Sequence, residues 1–310
     1  MASNEHIRVP YYPGCTLKTK AKGYEQSALD CSDALGFVME EMKDWNCCGA
    51  SFPLTNTNLM GLAGPTNVLI QAENHCRERG VDPHVVTLCS FCYNTLKRTQ
   101  YAFQQEPEKR TTLNKFLDLD YQGTVKVEHY LEYLRDVVGF DKLREAVKVD
   151  MSNVAVAPYY GCLLLKPKKE LGLDDPEDPT ILHDFLDALG CKIVDFPGQV
   201  DCCGSYLVMR EPEKAMELSY NILSEAGDYG AEAIVTACPL CQSNLDKSQS
   251  EARAADHFTE YQGMPVLYFT QLLAIALGLD TKEHKFEDHH IDLRPILSAC
   301  CIDDGIEEIK

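Results

Sequence analysis

The chain has 310 residues, 45% of them hydrophobic and 25% charged, an ordinary globular composition that can bury a core. Lys and Arg number 29 against 48 Asp and Glu, a formal net charge of −19, which argues against a nucleic-acid backbone or an anionic membrane as partner. No basic segment precedes an apolar run at the N-terminus, and the longest apolar stretch, Val266 to Leu279, is broken by Thr270 and Gln271 and is shorter than the ~20 residues of a spanning helix, so a cytoplasmic protein without direct membrane insertion is expected.

Read along the chain, the elements alternate. "IRVPYY" is a β-rich run that leads to Cys15, and a helical segment follows from Ala21 to Leu35. "FVMEEM" is a short strand ahead of the adjacent pair Cys47 and Cys48, with a helical stretch from Leu59 to Glu78 behind it. "HVVTL" is β-branched and enters Cys89-Ser-Phe-Cys92, which opens another helix; "VKVEHYLEYLRDVV" closes the first half as strand then helix. The second half repeats this plan: "NVAVAPYY" before Cys162, a helix over Pro179 to Leu189, "KIVDFP" before Cys202 and Cys203, a helix over Glu211 to Asp228, "AIVTA" before Cys238 and Cys241, and "VLYFTQLLAIALGL" at the end.

The repetition extends to short motifs. "YYPGC" returns as "PYYGC", "DALG" recurs unchanged, "NCCGA" returns as "DCCGS", and "VVTLCSFCYNTL" aligns without a gap to "IVTACPLCQSNL". The landmarks keep their order at an offset of roughly 150 residues, the size of one domain. A duplicated parallel α/β domain is therefore expected, with a first domain over 7–150, a second over 151–282 and a C-terminal tail over 283–310.

Fifteen cysteines exceed what packing needs, and a reducing compartment disfavours structural disulfides. Ten of them match between the halves: Cys15, Cys47, Cys48, Cys89 and Cys92, then Cys162, Cys202, Cys203, Cys238 and Cys241. Such distant ligands meet only where loops converge, and in an open parallel sheet that is the carboxyl edge of the strands. A C-x-x-C at a strand-to-helix junction turns two thiolates toward one centre, with the helix N-terminus lowering thiol pKa. Adjacent cysteines diverge and suit two irons of a cluster better than two corners of a zinc tetrahedron, and five thiolates exceed the four that zinc or a cubane uses. Gly49 and Gly204 let the backbone turn beside the metal. Structural zinc remains the alternative, including zinc in one half only; thioredoxin-like dithiol chemistry leaves the adjacent pairs unexplained.

The twice-repeated order C, CCG, C-x-x-C, from Val9 to about Leu279, closely resembles the cysteine-rich CCG domains of the B subunit of heterodisulfide reductase. The resemblance implies that each set of five cysteines holds a non-cubane 4Fe–4S cluster, and that a disulfide between the two clusters is cleaved reductively, each sulfur being captured by an iron. In methanogens that disulfide joins coenzymes M and B. The resemblance also implies partners: an electron-transfer protein with cubane clusters, like the C subunit of that enzyme, and a flavin protein, like its A subunit. A different class of function stays open, because CCG domains also occur in non-enzymatic electron-transfer or anchoring subunits of quinone-linked oxidoreductases.

Some residues beyond the ligands invite roles. Lys18 and Lys20 follow the first cysteine of one half and Lys166, Lys168 and Lys169 that of the other, where they could hold an anionic substrate. His129 sits at a strand-to-helix junction near the same edge and could pass a proton to a departing thiolate. Cys31, Cys76 and Cys191 fall at packing positions; Cys300 and Cys301 have no C-x-x-C beyond them and form no third site. "HKFEDHH", with His284, His289 and His290, reads as a polar surface segment. The chain has neither a ferredoxin run of cysteines nor a G-x-G-x-x-G fingerprint, so it should receive electrons from a docked partner.

Overall fold

The computed structural model describes residues 7–50, 59–254 and 263–300, with the backbone alone for 251–254. Two four-stranded parallel sheets form, one in each half. The first contains β1 (Ile7–Tyr11), β2 (Phe37–Glu41), β3 (His84–Thr87) and β4 (Lys126–His129) in the order β2-β1-β3-β4. The second contains β5 (Ala155–Tyr159), β6 (Lys192–Ile193), β7 (Ala233–Thr236) and β8 (Val266–Tyr268) in the order β6-β5-β7-β8.

This order has a functional consequence. The chain leaves β1 toward β2 on one side and passes from β2 to β3 on the other, so β1 and β3 flank the point where the winding reverses, the crevice in which such sheets bind ligands. β5 and β7 repeat the arrangement. The strands are short; β5, β7 and β8 are wholly buried, as parallel strands covered on both faces must be, while the edge strands β2 and β6 are partly exposed. β6 is shorter than the run "KIVDFP" suggests: after Ile193 one more N–H, that of Val194, bonds the Val156 carbonyl, and Pro197 then opens a 3₁₀ turn.

The helices fall close to their expected places, at Lys22–Ala34, Ala63–Arg79, Ile181–Leu189 and Pro212–Asp228. After β4, the run expected to be one helix is a single α-turn, Tyr130–Tyr133, followed by a π-helical turn, Leu134–Val138, that ends at Gly139. The helix after β8, Phe269–Ala276, has every residue buried. A helix apolar on all sides needs cover on all sides, and the first half supplies much of it, with Phe185 of the second half beside it. Ser27 Oγ lies 2.6 Å from Thr270 Oγ1, Cys31 Sγ contacts the Thr270 carbonyl, and the Phe269 ring packs against Tyr24, Tyr130 and Phe185. One continuous core thus runs through both halves.

The tail joins this core as well. His284 is fully buried and bonds Asp30 at 2.8 Å, while His289 is buried and bonded to Gln242 and Gln271. The expected polar surface segment is therefore corrected: His284 fastens the chain end across the seam to Asp30, His289 fastens it to the second half, and of the three only His290 is exposed. Cys31 and Cys76 are core residues, with Cys76 Sγ donating to the His84 carbonyl; Cys191 is partly buried against the core. Cys301 lies outside the described residues.

Candidate metal centres

Each ligand loop hangs from a strand end. Cys15 follows β1, Cys47 and Cys48 follow β2, and Cys89 and Cys92 follow β3, so three adjacent strands present the first set along one edge. Cys15 Sγ is 3.9 Å from Cys47 Sγ, and Cys48 Sγ is 3.6 Å from Cys92 Sγ. The second half repeats both values: 3.9 Å for Cys162–Cys202 and 3.6 Å for Cys203–Cys241. A disulfide would need about 2.05 Å, and none of the described cysteines is bridged to another. Two thiolates bound at about 2.3 Å to one tetrahedral ion lie roughly 3.8 Å apart, so each pair has the spacing of two ligands on one metal atom. Among the described residues, no three Cys, His, Asp or Glu side chains close on a single point to hold one ion. All five second-half cysteines, Cys162, Cys202, Cys203, Cys238 and Cys241, instead line one cavity of ≈ 20 Å³, and Ser90 and Phe91 of the first half help to wall it.

The ionisation of the thiols follows from their pairing. The Cys92 thiol bonded to Cys48 draws Cys48 down to about 7 against the opposing effect of burial, and Cys92 is pushed up as its partner's neighbour. Likewise Cys162 holds Cys202 down to about 6, Cys241 holds Cys203 down, and Cys162 and Cys241 rise. In each of these three pairs one sulfur is thus favoured as the thiolate, the form that binds a metal cation.

Several supporting residues escaped the reading of the sequence. Tyr12 and Tyr159, each three residues before the first cysteine of its half, donate their hydroxyls to the carbonyls of Asn46 and Asp201, the residues before the adjacent pairs. Each tyrosine pins the CCG loop to the neighbouring strand end. Thr95 and Asn244, one helical turn into the C-x-x-C helices, bond the Ala50 and Cys203 carbonyls of the same loops. Gly49 and Gly204 have left-handed φ of 86° and 76°, but the closest approach of backbone to sulfur is elsewhere. At Gly14 (φ +70°) a Cβ would stand 2.8 Å from Cys92 Sγ, and at Gly161 (φ +62°) 3.1 Å from Cys241 Sγ. The glycine immediately before each first cysteine makes room for a sulfur across the crevice. The tyrosines and these glycines were visible as repeated letters in "YYPGC" and "PYYGC".

The other candidates divide. Lys18 is ion-paired with Glu25 and Glu41, Lys168 with Asp175, and Lys166 lies 3.7 Å from Glu177. Local carboxylates engage those three. Lys20 differs, because it lines a cleft of ≈ 700 Å³ between the halves, facing Leu240, Ser243 and Lys247 with Thr16 and Thr19 beside it. His129 is corrected. It is fully buried, its Nδ1 accepts from the Leu131 N–H, its Nε2 faces the Leu88 carbonyl at 2.9 Å, and burial pushes its pKa down to about 4. Both nitrogens are occupied by backbone, so His129 is a helix cap and not a proton donor to substrate.

The paired sulfurs and the duplicated sheets decide where the chain belongs. A model of the CCG cysteine-rich domain matches it twice, over residues 9–97 and 156–246. The chain belongs to the CCG family. It is 33% identical over 285 residues to the 8-methylmenaquinol:fumarate reductase membrane anchor subunit of Wolinella succinogenes, covering 91% of this chain and 96% of that one. It is 28% identical to the B subunit of the ferredoxin/F(420)H(2)-dependent CoB-CoM heterodisulfide reductase of Methanosarcina acetivorans, covering 92% and 94%. A hypothetical protein from Helicobacter pylori shares the fold, with a TM-score of 0.73 at 11% identity over 92% of this chain; the chain spans 52% of that structure. Among the described residues no helix is long and apolar enough to cross a membrane.

Proposed function

We propose that this protein is the terminal iron–sulfur component of a heterodisulfide-reductase-like complex, holding one centre in each half and reducing a disulfide in the cleft between them. The donor set fits: Cys15, Cys47, Cys48, Cys89 and Cys92 would hold the first centre, and Cys162, Cys202, Cys203, Cys238 and Cys241 the second. Two metal-spaced sulfur pairs per half, with a fifth cysteine beside them, suit a multi-iron centre better than one zinc tetrahedron. When bound, such a centre supplies single electrons and a soft site for sulfur. The observation that carries the reading is the ≈ 700 Å³ cleft whose walls come from both halves and from residues next to ligand cysteines: Thr16 beside Cys15 on one side, Pro239 and Leu240 between Cys238 and Cys241 on the other. Lys20 would orient an anionic group of the disulfide there, and the hydroxyls of Thr16, Thr19 and Ser243 would hydrogen-bond it.

A second reading is a relay that hands electrons to a neighbouring protein without binding a disulfide. The likeness to a fumarate reductase anchor subunit favours it, as does the exposure of Cys15 and Cys47, which leaves the first sulfur set open to a docked partner. In either case a cytoplasmic location and a cubane-cluster partner complete the proposal. The deciding experiment is anaerobic iron and sulfide quantitation with electron paramagnetic resonance, with and without small thiols and disulfides. About eight irons per chain and a thiol-dependent signal support the enzyme; the same iron with no response to any thiol supports the relay. Zinc without iron in both halves rejects both.

A further inference from the structure

The two C-x-x-C loops, which belong to different halves, meet at a single side chain. The fully buried Tyr24 hydroxyl donates toward two carbonyl oxygens, that of Leu88 at 2.8 Å and that of Ala237 at 3.2 Å. Leu88 immediately precedes Cys89, and Ala237 immediately precedes Cys238. Ser90, inside the first C-x-x-C, donates from Oγ to the same Ala237 carbonyl at 2.8 Å, and His129 Nε2 lies 2.9 Å from the Leu88 carbonyl. The Tyr24 ring stacks on Tyr268 at 4.2 Å with 1° between the planes, and Tyr24 is fixed in turn by Thr270 Oγ1, which donates to its carbonyl. Nothing in holding metal requires this knot, since the CCG loops are already tied within their own halves.

The knot has a particular electrical property. A phenol carries one proton, and here that proton is divided between two carbonyls of the two ligand loops. In a buried setting the bond is not screened by water, so added negative charge on one loop strengthens that carbonyl as an acceptor and weakens the bond to the other. Hydrogen bonding around ligand sulfurs is one of the means by which a protein sets cluster potential.

We propose that Tyr24 is a positioning residue that couples the two metal centres, holding the Cys89 and Cys238 loops at one separation and making the electron affinity of each centre depend on the charge of the other. This rests on the reading that each half holds an iron–sulfur centre, but not on disulfide reduction. The Tyr24→Phe variant keeps the ring and its stack on Tyr268 and deletes only the shared hydroxyl. Ser90→Ala removes the neighbouring bond to the Ala237 carbonyl. Tyr130→Phe is the control, because it removes a buried hydroxyl bonded to Ser32 and Ala28 within the first half.

Full-length protein reconstituted anaerobically is analysed for iron and sulfide and then titrated with dithionite while both centres are followed by electron paramagnetic resonance. The expected result is unchanged iron in all three variants, with a change of about fivefold in the distribution of one electron between the two centres in Tyr24→Phe, the value of one buried hydrogen bond. Ser90→Ala, which strips a donor from the Ala237 carbonyl alone, shifts the distribution toward the first centre, opposite to the loss of the shorter Tyr24–Leu88 bond, the spin–spin broadening of the fully reduced protein changes with it, and Tyr130→Phe matches wild type. Full iron with a wild-type distribution and broadening in Tyr24→Phe overturns the coupling while leaving the iron–sulfur reading intact. Should Tyr24→Phe not fold, the same wild-type result in Ser90→Ala overturns it. Absence of iron from the wild-type protein overturns the iron–sulfur reading itself.

Discussion

Gly14→Ala and Gly161→Ala test the sulfur geometry at the same place in each half. Both positions have left-handed φ, +70° and +62°, which costs a non-glycine residue about 1–2 kcal/mol in either half. That shared penalty lowers Tm by a few degrees in a chain of this size. The second effect differs between them. At Gly161 the new methyl would stand 3.1 Å from Cys241 Sγ, a tight contact relieved by a shift of a few tenths of an ångström. At Gly14 it would stand 2.8 Å from Cys92 Sγ, a separation that side-chain carbons do not adopt, so the sulfur must move further than Cys241 does and out of its place among the other four. Cys92 is buried beside Cys48 and has little room to retreat. The expected outcome of Gly14→Ala is a folded protein that has lost the first centre and about half its iron; Gly161→Ala retains most of its second centre. Metal analysis per chain, with thermal unfolding in parallel, reads both. Wild-type iron in Gly14→Ala, or equal losses in the two variants, would refute the idea that these glycines make room for ligand sulfurs.

Cys203→Ala removes one member of a 3.6 Å sulfur pair and should abolish the second centre, whereas Cys31→Ala, which deletes a core thiol bonded to the Thr270 carbonyl, should keep full iron and cost about 1 kcal/mol, measured by denaturant unfolding. His289 is held neutral by burial, its pKa pushed down to about 4. Because its folded pKa lies below the unfolded value, the unfolded chain binds more protons between pH 6.5 and pH 4, so stability present above pH 6.5 falls across that window by about 3 kcal/mol; the slope of the urea midpoint against pH should flatten in His289→Gln. Lys20→Ala should raise the KM for an anionic disulfide about tenfold at unchanged iron, an exposed charge-assisted contact being worth about that much, while Lys168→Ala, already paired with Asp175, should leave it unchanged.

Much of the site was legible because the chain is duplicated. Ten cysteines recurring in order marked the candidate ligands, and the strand-forming runs before them marked the strand ends on which they sit. What failed were assignments that depended on neighbours distant in space from anything a motif records. His129 looked like a proton donor from its place at a strand end, yet the Leu88 carbonyl and the Leu131 N–H occupy its ring. Lys18, Lys166 and Lys168 looked like an anion clamp until Glu25, Glu41, Glu177 and Asp175 came beside them. "HKFEDHH" is polar in composition and still buries two histidines, because Asp30, Gln242 and Gln271 satisfy them.

The amino-acid sequence by itself determined the tandem α/β plan and the set of sulfur donors, since hydrophobic periodicity and short motifs are local properties that repeat visibly. Only the tertiary structure decided that Cys15 pairs with Cys47 and Cys48 with Cys92, that of Lys18, Lys20, Lys166 and Lys168 the cleft holds Lys20, and that the two C-x-x-C loops share the hydroxyl of Tyr24. Contacts such as that between Tyr24 and Ala237 join residues 213 positions apart. They depend on how the wholly buried helix Phe269–Ala276 is covered by the other half, a packing outcome that no local pattern records.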